Sequence, residues 1–148
     1  MTSVLAPVAG TVRGLSGVSD PVFAAEMVGS GVAIEPAEGP QTVVSPIAGK
    51  LLKVHPHAFV VHDGSIGVLV HLGINTVKLK GDGFTVLAQE KGVVEAGQPI
   101  VEWDPQVALE AGMDTVVLVC QMDTAPGSIV PAEADVPIEQ GSELFATV

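Results

Sequence analysis

Seventeen glycines and 11 prolines cut this chain into short runs rich in Val, Ile and Leu. Punctuation that dense leaves little room for long helices and predicts an all-β fold of many short strands. The runs place strands at 4–6, 9–14, 31–34, 42–44, 48–54, 57–62, 66–71, 77–79, 84–87, 99–103, 115–122, 127–130 and 143–147. Helical signal gathers at one place. Asp104-Pro105 offers an N-cap with proline at N1, and opens Gln106–Ala111 before Gly112 stops it. One short helix is expected there, and a single turn over Leu87–Lys91.

The runs also echo one another. Val4-Leu-Ala-Pro7-Val-Ala-Gly10 returns as Val43-Val-Ser-Pro46-Ile-Ala-Gly49, an offset of 39 (46 − 7). Val94-Glu-Ala-Gly97 returns as Ile138-Glu-Gln-Gly141, an offset of 44 (141 − 97). Phe23 is answered by Phe59, and Gly31–Ile34 by Gly67–Val70, each at an offset of 36 (59 − 23). Two matching strand-turn-strand halves predict an antiparallel β-sandwich or barrel made by duplication, with residues 1–148 forming a single domain.

Bulk composition narrows the function. Hydrophobic residues make up 47% of the 148 and charged residues 16%, enough to build a substantial core. No apolar run approaches the roughly 18 residues of a membrane span, and the N-terminus lacks the basic start of a secretory signal. Cys120 is the single cysteine, so no internal disulfide can form and a reducing cytoplasm fits best. Six Lys/Arg against 17 Asp/Glu give a formal charge of −11. That balance opposes binding to nucleic acid or to an anionic membrane surface. It favours basic protein partners, although solubility alone would account for it.

Chemistry concentrates between His57 and Val77. Asp63-Gly64-Ser65 reads as a three-residue hairpin loop that pairs His62 with Ile66, and therefore His57 with His71. Opposed in this way, the two imidazoles would have Cβ atoms roughly 4.5–5.5 Å apart. Gly67, Leu69 and His71 would share a face with His57, Phe59 and Val61, while His62 points the other way without a role. Apolar neighbours favour the neutral imidazole, the nucleophilic form, and Gly73 would let backbone amides approach a ligand. The plainer reading is a half-buried histidine satisfied by a carbonyl.

His55-Pro56-His57 sets two imidazoles two residues apart, and with His71 it offers three nitrogen ligands. A zinc-dependent hydrolase is the reading that follows, though Asp63 sits in the turn rather than beside the pair. Otherwise His55 adds positive charge near an anion, or is simply exposed. Phe23 and Met27, with Val77 after the Asn75-Thr76 turn, supply either an apolar rim or ordinary core. The Val-x-x-Gly-x-x-Ile echoes also fit a lipoyl- or biotin-carrier module, but no lysine has the flanking residues such a module needs.

Several of these segments together resemble one family. They are Asp20-Pro-Val-Phe23-Ala, Val28-Gly-Ser-Gly31-Val-Ala-Ile34-Glu-Pro36, Ser45-Pro-Ile-Ala-Gly49, His57-Ala-Phe59, Val70-His71-Leu72-Gly73-Ile74-Asn75-Thr76-Val77, Leu79–Phe84 and Gln121-Met122-Asp123. Their order is similar to that of the glucose-family IIA component of the phosphoenolpyruvate-dependent sugar phosphotransferase system. The resemblance spans nearly the whole chain. It implies that His71 accepts a phosphoryl group from the phosphocarrier HPr and passes it to a cysteine of the IIB component of a sugar permease.

His57 then corresponds to the histidine that hydrogen-bonds and stabilises the phosphate. The implied fold is a β-sandwich with a shallow apolar depression holding both rings. Phe23, Met27 and Val77 fall at the rim that meets partners, and Gly73, Asn75 and His55 beside the phosphate. No metal or cofactor is implied beyond phosphohistidine. The implied location is cytoplasmic, at a membrane permease but without insertion, in a domain that starts on its first core strand. Transfer between side chains needs positioning and charge stabilisation, which suits a chain with no P-loop or Mg²⁺ motif. Two positions depart from the family pattern: Asn75 stands where aspartate is frequent, and His55 where many relatives have threonine.

Overall fold

A computed structural model describes residues 2–129, 131 and 133–148. Its strands are β1 (Ser3–Leu5), β2 (Gly10–Gly14), β3 (Gly29–Pro36), β4 (Gln41–Val44), β5 (Gly49–His55), β6 (Ala58–His62) and β7 (Gly67–Leu72). They continue as β8 (Phe84–Val86), β9 (Val93–Val94), β10 (Pro99–Trp103), β11 (Val117–Met122), β12 (Pro137–Ile138) and β13 (Glu143–Ala146). Eight form one sheet in the order β12-β2-β3-β11-β7-β6-β5-β9, and β4-β10-β8 and β1-β13 form two smaller ones. Every pairing between strands is antiparallel.

The main core lies between the large sheet and the small ones. Val32, Ile34, Phe59, Val61, Val68, Val70, Val117 and Val119 meet Val4, Ile100, Val101, Trp103 and Phe145 there. Burying each such side chain contributes on the order of 1.5–3 kcal/mol, so this layer dominates stability. The opposite face of the central strands is covered too. Ala33, Leu118 and Cys120 pack there under Leu15, Phe23, Ile74 and Val116. Burial on both faces explains why β11 reads as an unbroken apolar run rather than an alternating one.

The echoes at offsets 39 and 44 mark true structural repeats. The Leu5 N–H donates to the Pro46 carbonyl, and Val44, its counterpart, donates to the Pro7 carbonyl. β1 pairs Val4 with Phe145, as β4 pairs Val43 with Val101. β2 pairs Gly10 with Ile138, as β5 pairs Gly49 with Val94. The order of the large sheet is a palindrome under this exchange of halves, with its centre between β11 and β7. The offset of 36 is coincidental: Phe59 is on β6 in the main core, whereas Phe23 is on a helix over the outer face.

That helix corrects the expectation of a single one. Among the described residues there are two, α1 (Pro21–Ala24) and α2 (Pro105–Glu110). Both begin on the same Asp-Pro signal. Asp20 Oδ1 accepts the Val22 and Phe23 amides at 2.9 and 3.4 Å, and Asp104 Oδ1 accepts the Gln106 amide at 3.1 Å. The expected strand at 77–79 is a 3₁₀ turn, Thr76–Leu79, closed at both ends by residues of positive φ, Asn75 (65°) and Lys80 (54°). A strand cannot form where the chain reverses in this way. Gly127–Ile129 are not strand either, and residue 130 of that expected segment lies outside the described residues. The two-residue strands β9 and β12 were too short for an apolar pattern to mark.

Candidate functional site

The β6–β7 hairpin closes one residue later than the sequence reading has it. The Asp63 carboxylate accepts the Ser65 and Ile66 amides at 2.8 and 2.9 Å, and the Asp63 N–H donates to the Ile66 carbonyl at 3.1 Å. Ile66 is thereby held in the loop, and the ladder begins with His62 opposite Gly67. His71 therefore faces Ala58, not His57. Phe59 and Val61 turn into the main core, and His62 shares the face of Gly67, Leu69 and His71.

The two imidazoles meet nonetheless, by a different route. Pro56-His57 is the two-residue turn between β5 and β6, with His55 paired to Ala58 across it. Beyond the strand ends side chains no longer alternate strictly between faces, and His57 turns back over the sheet. Its ring meets that of His71 edge-on, with centroids 5.3 Å apart and planes at 76°. His55, exposed at the end of β5, stacks on His57 at 5.8 Å and 24°. Phe23 reaches His71 from α1 at 5.1 Å. The three histidines named in the zinc reading do gather. Yet among the described residues no group of three or more His, Cys, Asp or Glu is arranged to hold a metal ion.

His71 is oriented by its own turn. Nδ1 lies 2.7 Å from the Gly73 carbonyl, which can only accept, so Nδ1 carries the proton. The Nε2 lone pair is left available. Gly73 takes φ +79°, and a Cβ added there would sit 2.6 Å from Thr76 Cγ2 and 2.9 Å from the Asp114 carbonyl. The Gly73 and Ile74 amides are both occupied, donating to the Val116 and Asp114 carbonyls at 2.9 Å each. Gly73 thus serves the site through its carbonyl, rather than by offering its amide to a ligand as the sequence suggested. Buried Thr76 fixes the same turn, donating from Oγ1 to the Leu72 carbonyl at 2.6 Å. Exposed Asn75 shapes the turn through its backbone, and its side chain caps nothing.

Electrostatics favour neutral rings. Burial holds His71 below the ordinary histidine value, opposed in part by the Gly73 carbonyl and by the Asp20 carboxylate. Burial also lowers His57, and the neighbouring His71 and His55 add to the effect. Cys120 is no rival nucleophile, since burial pushes its thiol up to about 12.

A family model described as "phosphoenolpyruvate-dependent sugar phosphotransferase system, EIIA 1" matches residues 2–126. The chain belongs to this family. It is 32% identical over 144 residues to the glucose-specific EIIA component of Bacillus cereus, covering 95% of this chain and 86% of that one. It is 36% identical over 141 residues to the N-acetylglucosamine-specific EIICBA component of Escherichia coli, covering 92% of this chain but 22% of the relative. The glucose permease IIA of Mycoplasma capricolum superposes with a TM-score of 0.80 at 31% identity, covering 97% of this chain and 93% of that one.

Two of the rim residues expected for this EIIA domain are exposed. Met27 is 75% exposed and Val77 59%, and Val22 on α1, which the sequence reading passed over, is also exposed. Phe23 is not on that rim. It is 9% exposed and forms the floor against which His71 rests. The sequence reading also missed Asp20 as the carboxylate acting on His71. The Asp-Pro cap that marks α2 was equally present at Asp20-Pro21 and would have placed it. Among the described residues no helix is long and apolar enough to cross a membrane.

Proposed function

We propose that this EIIA domain is a phosphoryl carrier in sugar uptake. Nε2 of His71 accepts a phosphoryl group from phospho-HPr and delivers it to a cysteine on a IIB domain. The observation that carries this reading is the Nδ1–Gly73 contact of 2.7 Å, because it ties up Nδ1 and leaves Nε2 of a neutral ring with a free lone pair. As the phosphorus–nitrogen bond to the donor ring breaks, the donor keeps the electron pair and the new bond forms at His71. His57, edge-on at 5.3 Å, stabilises the equatorial oxygens through a ring N–H.

Relatives in which EIIA is one part of an EIICBA or EIIBCA chain support a IIB partner. The apolar rim of Val22, Met27 and Val77 supplies a docking surface, and the net charge of −11 suits partners with basic patches. The reading needs no cofactor. It places the domain in the cytoplasm beside a membrane permease. Incubation with phosphoenolpyruvate and the general phosphotransferase proteins, followed by mapping of acid-labile phosphate, tests it. Phosphate on His71 is expected; phosphate elsewhere, or none, defeats the reading.

A further inference from the structure

The imidazoles form a series of increasing burial, from exposed His55 through half-buried His57 to His71 against Phe23. Only the last is tied within the chain: among the described residues neither the His55 nor the His57 ring makes a hydrogen bond to protein. The charged groups near the outer pair are few. Lys53 precedes His55 on β5, and Glu90 accepts the Val54 amide at 3.2 Å. Lys80 and Asp82 flank Gly81, which abuts Pro56. Asp20 acts on His71 from α1. The charges felt by His57 itself are those of His71 and His55.

Resting on the assignment of His71 as phosphoryl acceptor, we propose that His55 is a further positioning residue of the site. It is a second protonatable ring, and with His57 it draws protons from solvent when a phosphoryl group is loaded on His71. Before loading, burial and the neighbouring His71 and His55 rings discourage His57 from charging. A dianionic phosphoryl group reverses that balance, and the rings stacked beside His71 bind protons more tightly. The chemistry balances without another reactant. The donor nitrogen keeps the electrons of the broken phosphorus–nitrogen bond, Nε2 of His71 forms the new bond, and solvent supplies the protons. A ring that binds protons more tightly in the loaded state makes loading easier as pH falls through its raised pKa, and contributes nothing well above it.

Ring NMR titrations of the full chain, unphosphorylated and loaded, test this directly. Loading is attempted both through the phosphoenolpyruvate relay and with phosphoramidate, which needs no partner protein. The His55 ring is expected to titrate about half a pH unit or more higher in the loaded form. His55→Phe keeps a ring for the stack but cannot take a proton, and His55→Asn loses both. Both variants should take up fewer protons on loading and show a shallower pH dependence of the loading equilibrium than the parent. An unmoved His55 titration, or a His55→Phe profile matching the parent, overturns the inference and leaves the phosphoryl reading standing. If neither reagent loads His71, both fall.

Discussion

The two halves of this molecule share a backbone plan and differ at the one place where chemistry is expected. β2 and β5 are counterparts, and so are the strands they pair with, β3 and β6. Between β5 and β6 the chain turns in two residues, Pro56-His57, setting an imidazole over the sheet. Between β2 and β3 it runs out through α1 and returns, laying Phe23 on the same face. The centre of the sheet shows the same divergence. The registers pair His71 with Leu118 and Cys120 with Leu69, and the exchange of halves carries His71 onto Cys120. One position keeps a ring reachable from outside. The other is sealed. A duplicated scaffold thus builds its site from the differences between its halves, and the matched parts hold those differences in place.

The sharpest way to break this comparison is to substitute both central positions. His71→Gln should lower phosphoryl acceptance by about 10³-fold or more, with thermal unfolding little changed. Cys120→Ala should leave acceptance in place and cost on the order of 1 kcal/mol through the space it empties. If the cysteine variant loses acceptance and the histidine variant keeps it, the asymmetry has been assigned backwards. A second, smaller effect separates the two rings. His57→Gln should still accept phosphate but pass it on about 100-fold more slowly, as when one donor to a developing charge is removed. Equal and total loss in both variants would refute the division of labour.

The echo of Pro7 in Pro46 and of Gly97 in Gly141 was legible because turns and strand starts tolerate few residue types, so duplication survives there as sequence. The meeting of His57 and His71 was legible too, but for the wrong geometric reason. Counting residues around Asp63 could not reveal that its carboxylate would hold Ile66 in the loop. Nor could alternation foresee a ring turning back from a two-residue hairpin. The contribution of Gly73 was misread because sequence shows only a missing side chain. The carbonyl that holds Nδ1, and the crowding by Thr76, exist only once the turn is folded. Gly73→Ala should therefore cost about 2 kcal/mol in denaturant unfolding, from a strained positive φ and a contact that must give way. A stability equal to the parent would show that the turn has slack.

The finest test concerns Asp20, which belongs to the half without histidines yet acts on the ring of the other. Its carboxylate both caps α1 and favours the charged form of His71. Asparagine caps a helix about as well as aspartate, so Asp20→Asn removes the charge and spares the cap. Losing an influence that raises the His71 pKa should lower it further from the ordinary histidine value. The neutral, nucleophilic ring then persists to lower pH, and the acid limb of phosphoryl acceptance should move by less than about one pH unit toward acid. Stability responds in the matching direction. A ring whose folded pKa is depressed contributes its full share above the unfolded value of 6.5, and that share is lost as pH falls toward the folded value. The variant, more depressed still, should lose more stability to acid than the parent, while unfolding alike above that pH. NMR titration of His71 beside the rate profile distinguishes the cases. A shift toward neutral pH, or none, would mean that the helix of one half does not reach the chemistry of the other.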